Sequence, residues 1–197
     1  MRSGISAALI VRNEERFLEG CLASLAGHVD DIVVVDTGST DRTIAIAAAF
    51  GARILHSAWQ NDFATPRNLG LDAATSGWIL YIDADERLSV PEGHRLDEGL
   101  SDPGLVAARV GFFPRVRSTP YRELRLFRND PRIRFEGAIH ETIVPAIDAL
   151  IDLGGRVSQS PAEIRHLGYE GDLSHKYRRN LPMLRAAAIA EPQRLYY

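Results

Sequence analysis

"WILYIDADERL", Trp78–Leu88, runs five mostly apolar residues straight into Asp83, Asp85 and Glu86. An ionised carboxylate taken out of water costs on the order of several kcal/mol unless something compensates it. The run therefore reads as a buried strand that ends near Ile82. Its acids then emerge at the carboxyl end, to be met by solvent or by a positive partner.

Working back from Trp78, the chain alternates between two periods. "SAALIV" (Ser6–Val11) is a continuous apolar strand, and Phe17, Leu18, Cys21, Leu22 and Leu25 recur at helical spacing. "DIVVVD" (Asp31–Asp36) is a second strand, rich in β-branched residues, and the turn-prone "TGSTD" closes it. Ser39, Thr40 and Asp41 suit the start of a helix reaching about Phe50. "ARILH" (Ala52–His56) makes a third strand, and Phe63–Ala74 a helix leading into the fourth. Strands alternating with helices predict a parallel sheet with helices on both faces, the α/β class. Runs without polar interruption fit strands covered on both sides. Ligands of such sheets bind outside the carboxyl ends of the strands. "IVRNEE", "VDTGSTD" and "IDADE" all fall there, so they are expected to share one site.

Beyond Pro91 the pattern changes. A short helix over about Glu92–Leu100 is expected, followed by strand-like "VAARVGFF", "ELRLFRN" and "HETIV". Arg122, Leu124, Leu126 and Arg128 alternate in a way that suggests a mixed or antiparallel portion with one wet face. "IRHLGY" (Ile164–Tyr169) reads as a last short strand or turn. Ser174 to about Ala190 reads as a helix with a basic first half and a proline, Pro182, inside it.

Composition narrows the function. A net charge of −3 speaks against nucleic acid as the main partner. No apolar run approaches the roughly 20 residues that cross a bilayer. The single cysteine, Cys21, rules out an internal disulfide and fits a reducing compartment. The expected place is the cytoplasm, with peripheral contact at the inner face of the membrane left open.

Side chains two apart on a strand share a face, so Asp83 and Asp85 can present hard oxygen ligands together to Mg2+ or Mn2+. Such ions complete their shells with substrate phosphates. Two like unit charges about 4 Å apart repel by roughly 4 kcal/mol at an effective dielectric of 20. A phosphate beside these aspartates therefore has to bring a cation.

"SAALIVRNEERFLEGCLASL", "DIVVVDTGSTDRT", "DFATPRNLGLDAATSGWILYIDADERL" and "RIRFEGAIHETI" together resemble the successive motifs of family-2 glycosyltransferases. The resemblance runs from about Ile5 to Arg179. It implies a GT-A fold: a Rossmann-like, mostly parallel sheet flanked by helices, with a small mixed or antiparallel C-terminal portion. It also implies metal-dependent, inverting transfer of a sugar from a nucleotide-diphosphate sugar to a glycan or lipid-linked acceptor. Residues 1–197 would form one domain: a nucleotide-binding half (1–90), an acceptor-side half (91–170) and a C-terminal helical segment (171–197). Because the chain stops at "EPQRLYY", it is expected to be a catalytic core whose acceptor-selecting portion lies elsewhere.

By the same resemblance, Asp85 ligates the metal, with Asp83 contacting the ribose or the metal through water and His166 completing the shell. Val11, Arg12, Asn13 and Glu14 line the nucleotide pocket. Asp36 closes the strand facing the base, with Thr37 where many members carry a second acid. Arg67, a cation placed against the dipole at a helix start, would bridge the nucleotide or an aspartate of the metal turn. Asn68 and Asp62 are weaker candidates for the same neighbourhood. Glu86 is expected to face solvent or cap the next segment. Inverting transfer needs a carboxylate base, for which Glu141 of the "HE" pair comes first and Glu136 second, with His140 beside them. Lys176, Arg178 and Arg179 would clamp the diphosphate, and Tyr169 would pack on sugar or base, or in the core.

Two rivals remain: a non-catalytic nucleotide-sugar or glycan binding module, and a phosphotransferase of the haloacid-dehalogenase type. The second expects Thr or Val where Arg87 stands. Zinc-protease, EF-hand and P-loop patterns are absent from the sequence.

Overall fold

In order along the chain, the elements are β1 (Ile5–Val11), α1 (Leu18–Leu25), β2 (Asp31–Asp36), α2 (Thr43–Ala49), β3 (Arg53–His56), α3 (Ala64–Ala73), β4 (Trp78–Tyr81), β5 (Glu86–Ser89), β6 (Leu105–Phe113), β7 (Tyr121–Arg128), α4 (Val144–Asp152), β8 (Arg156–His166) and α5 (Ser174–Ala190). The computed structural model describes residues 4–114, 119–168 and 174–190, with side chains from Arg178 onward in the last segment. All eight strands join one sheet in the order β3-β2-β1-β4-β7-β6-β8-β5.

The N-terminal half of that order is parallel. Val11 lies opposite Asp36, and Ile5 opposite Trp78. The chain steps outward from β1 to β2 to β3, then returns across β1 to lay down β4. That reversal opens a crevice at the carboxyl ends of β1 and β4, where open α/β sheets take ligands. β7 adds antiparallel to β4, and the remaining strands are mixed. The expected α/β class is thus observed, with its mixed C-terminal portion continuing the same sheet.

Period-two alternation sorts the strands between two cores. Ile5, Leu9 and Val11 of β1 pack with Leu18, Cys21, Leu22 and Leu25 of α1. Ala8, facing the other way, packs with Leu71 of α3 and the Phe127–Ile147 cluster. Gly70 lets α3 lie close to the sheet: a Cβ there would meet Val35 at 3.3 Å.

Three expectations need correction. Residues 92–100 form successive turns, not a helix. Gly93 and Gly99 both take positive φ (81° and 78°), which breaks the helical path. The spacing of Leu96 and Leu100 instead plants both turns in the core. "HETIV" is not a strand beyond a single Glu136–Thr142 bridge. Val144 starts α4, with proline in the first turn, where a missing N–H costs nothing. Of "IRHLGY", Ile164–His166 are the end of β8, an 11-residue strand, and a turn follows at Gly168.

Candidate active site

Strand register decides what meets at the crevice. β5 pairs with β8 so that Glu86 lies opposite His166. The imidazole is thereby delivered to Asp85, with Nε2 3.4 Å from Oδ2. The Leu167 N–H donates to the Asp85 carbonyl at 2.7 Å. Gly168 is required next, because a Cβ there would overlap the Asp85 carboxylate. The Gly168 N–H donates to His166 Nδ1 at 3.1 Å, which leaves the neutral ring's proton on Nε2, toward Asp85.

Asp83 is held from the other side. Arg67, in the first turn of α3, is buried, yet it carries its charge against the helix dipole. Two carboxylates compensate it: Nη2 donates to Asp83 Oδ1 at 2.9 Å and Nε to Glu141 Oε1 at 2.6 Å. Its guanidinium carbon also lies 5.3 Å from the Tyr81 ring centroid. Burial alone would lower the Arg67 pKa, but Asp83 and Glu141 raise it instead. Burial likewise pushes Asp83 up, yet Arg67 and Arg125 outweigh it and hold that carboxyl below its ordinary value. Arg67 thus bridges an aspartate of the acidic turn to the glutamate of "HE".

The crevice has a volume of about 310 Å3. Val11, Arg12, Glu14, Thr37, Arg67, Asp83, Asp85, His140, Glu141, His166 and Arg179 all line it. His140 adopts φ 54°, a left-handed backbone that costs a β-carbon residue on the order of 1 kcal/mol. Such strain is concentrated at functional turns. Other candidates stand outside the lining. The Asp36 carboxylate accepts the N–H groups of Gly38 and Ser39, so it builds the turn after β2. Asn13 Oδ1 accepts the Thr40 N–H, pinning the β1 loop to the same turn. Glu136 is exposed, with its backbone in the bridge to Thr142. Asn68 pairs through its amide with the Phe135 backbone, and Asp62 receives Thr65. The Lys176 side chain and Tyr169 lie outside the described residues.

Among the described residues, no three His, Cys, Asp or Glu side chains converge as a ready-made metal cage. Asp85 and His166 instead form an open pair, each side chain 10% exposed. Magnesium-type ions suit such a site, taking one or two carboxylates and completing the shell with water and phosphates.

Sequence reasoning missed three participants and misplaced a fourth. Trp59 and Phe63 line the crevice, their rings 4.8 Å apart, and Arg179 stacks on Phe63 at 4.9 Å. Arg125 is buried in β7, flanked by Leu124 and Leu126; an arginine inside an apolar run was the available signal. Glu86, expected to face solvent or cap a segment, is fully buried against it, because Arg125 donates twice to its carboxylate.

Residues 6–148 match the model for "Glycosyl transferase family 2". A TPR repeat-containing protein of Synechococcus elongatus is 42% identical over 85% of this chain and 43% of its own length. The lipopolysaccharide core biosynthesis glycosyltransferase LpsC of Rhizobium meliloti is 33% identical over 72% of this chain and 57% of its own. The chain thus spans about half the length of these curated relatives. A glucosyl-3-phosphoglycerate synthase from Mycobacterium tuberculosis, solved with Mn2+, uridine-diphosphate and glucosyl-3-phosphoglycerate, superposes with a TM-score of 0.62. It is 17% identical and covers 95% of this chain and 79% of its own, a likeness of fold.

Proposed function

The chain belongs to glycosyl transferase family 2, and on that premise we propose that it transfers a sugar, with inversion, from a nucleotide-diphosphate sugar to a hydroxyl of a glycan or lipid-linked acceptor. The observation that carries this reading is Arg67, whose one guanidinium holds both Asp83 of the acidic turn and Glu141 of "HE" in the lining of the crevice. The carboxylate proposed to bind the donor and the proposed base are thereby tied to one guanidinium in the lining of a single crevice.

Glu141 is the proposed base. With Oε1 engaged by Arg67, Oε2 is the oxygen that takes the acceptor's proton. The acceptor oxygen then bonds to the anomeric carbon while the carbon–oxygen bond to phosphate breaks, and its electron pair leaves with the diphosphate. Arg12 and Arg179, both lining the crevice, supply guanidinium forks that suit phosphate oxygens. Asp85, with His166 and Asp83 nearby, would hold a divalent ion, Mn2+ or Mg2+, which would supply the positive charge that the leaving diphosphate needs. For its Nε2 to ligate, the His166 ring has to give up the Gly168 N–H and move its proton to Nδ1.

The Mycobacterium neighbour was solved with uridine-diphosphate and Mn2+, so UDP is the first donor nucleotide to try. Calorimetric titration with UDP should show binding that depends on Mn2+, and Asp85→Ala should abolish both this binding and transfer from UDP-sugars while the thermal midpoint holds. UDP-sugar turnover by Asp85→Ala at the wild-type rate would overturn the reading.

A further inference from the structure

Behind the acidic turn sits a second buried guanidinium. Arg125, 6% exposed, lies with its guanidinium carbon 4.5 Å from the Tyr81 ring centroid and 4.8 Å from that of Phe112. Its Nη1 and Nη2 donate to the two Glu86 oxygens at 3.1 and 2.9 Å, and Nε donates to Glu123 at 2.7 Å. Glu86 Oε2 also accepts the Asp83 N–H at 2.8 Å, and the Glu86 N–H donates to the Asp83 carbonyl at 3.0 Å. The turn from Asp83 to Glu86 is therefore closed in both directions, and Arg125 is its anchor in the sheet.

Stability alone does not account for this arrangement. Burying two charges has a desolvation cost that their attraction often fails to recover, and an apolar pair of similar volume is frequently as stable. Side chains such as Met and Leu could fill the space between Tyr81 and Phe112. They could not accept the Asp83 amide.

We propose that Arg125 and Glu86 are positioning residues for the donor: Glu86 holds the Asp83 amide, Arg125 holds Glu86, and the Asp83–Asp85 backbone is thereby set so that its carboxylates line the crevice. Arg67 grips the same aspartate by its side chain. Both guanidiniums contact the Tyr81 ring, their carbons 5.3 and 4.5 Å from its centroid. This inference rests on the proposed donor reading.

The test measures UDP affinity with saturating Mn2+ in the full chain. The charge-neutral double variant Arg125→Met/Glu86→Leu, which fills the space but cannot accept the Asp83 amide, should keep its fold and bind UDP at least tenfold more weakly. Leu126→Ala, in the same strand and fully buried, should lower the thermal midpoint without changing that affinity, which separates positioning from general stability. If the double variant fails to fold, Arg125→Lys keeps the charge and loses the fork, and several-fold weaker binding is expected. Affinity within twofold of wild type, in the folded double variant or in Arg125→Lys, overturns the proposal. A wild-type protein that binds no UDP with Mn2+ fails the donor reading, and this inference falls with it.

Discussion

Glu141 carries one oxygen in the grip of a buried arginine, and that detail fixes what a single-atom change should do. Glu141→Gln keeps an oxygen for Arg67 Nε and removes the capacity to take a proton. General-base contributions run to roughly 10²–10⁴-fold. The expected outcome is a fall in kcat of that order with the UDP dissociation constant unchanged, read by initial rates and calorimetry on one preparation. A normal kcat would remove Glu141 from the base role. The contrast with Arg67 is instructive: Arg67→Met strands two partly buried carboxylates at once, so it should weaken donor binding and transfer together. The pair distinguishes a group acting on the acceptor from one that braces both sides.

Between elements, Asp31 shows how one side chain at the head of a strand ties three others. Its Oδ2 accepts from Ser6 of β1 at 2.9 Å, from Arg53 of β3 at 2.6 Å and from Thr75, ahead of β4, at 3.0 Å. Burial pushes its carboxyl up, but Arg53, Ser6 and Thr75 outweigh burial and hold it below its ordinary value. A carboxyl depressed in the folded state adds stability that is fully present above the unfolded value, about 3.9, and fades as pH falls through the folded one. Asp31→Asn should therefore melt below wild type at pH 7, with the gap narrowing below about pH 4. A gap constant from pH 7 to pH 3 would refute that origin. The parallel half was legible because β1, β2 and β4 are covered on both faces, so their apolar runs are unbroken. β8 was not, since only Ser160, Ala162 and Ile164 turn inward, and Pro161 interrupts it where its pairing with β6 shifts register. The candidate site divides in the same way. Asp83 and Asp85 announce themselves by ending an apolar run, whereas Glu86 and Arg125 are 39 residues apart and acquire meaning only by meeting.

Across the whole molecule, the lone thiol reports on how the halves hold together. Cys21 is fully buried where α1 meets the sheet, and its Sγ donates to the Asp83 carbonyl at 3.3 Å. Burial, with Glu86 adding to it, pushes the thiol well above its usual range, so almost none is thiolate at neutral pH. Reaction with a disulfide reagent must then wait for α1 to lift from the acidic turn. If the proposed donor site is right, UDP with Mn2+ binds the closed form through that same turn. At a hundred times its dissociation constant, a ligand stabilises the closed form by about 2.7 kcal/mol, which is about a hundredfold in the open population. Cys21 labelling should accordingly slow by about that factor with UDP and Mn2+ together, and very little with either alone. Rapid labelling of the free protein would mean that α1 opens without disturbing the site. Slow labelling indifferent to UDP and Mn2+ would mean that the turn is held by packing alone and takes no donor.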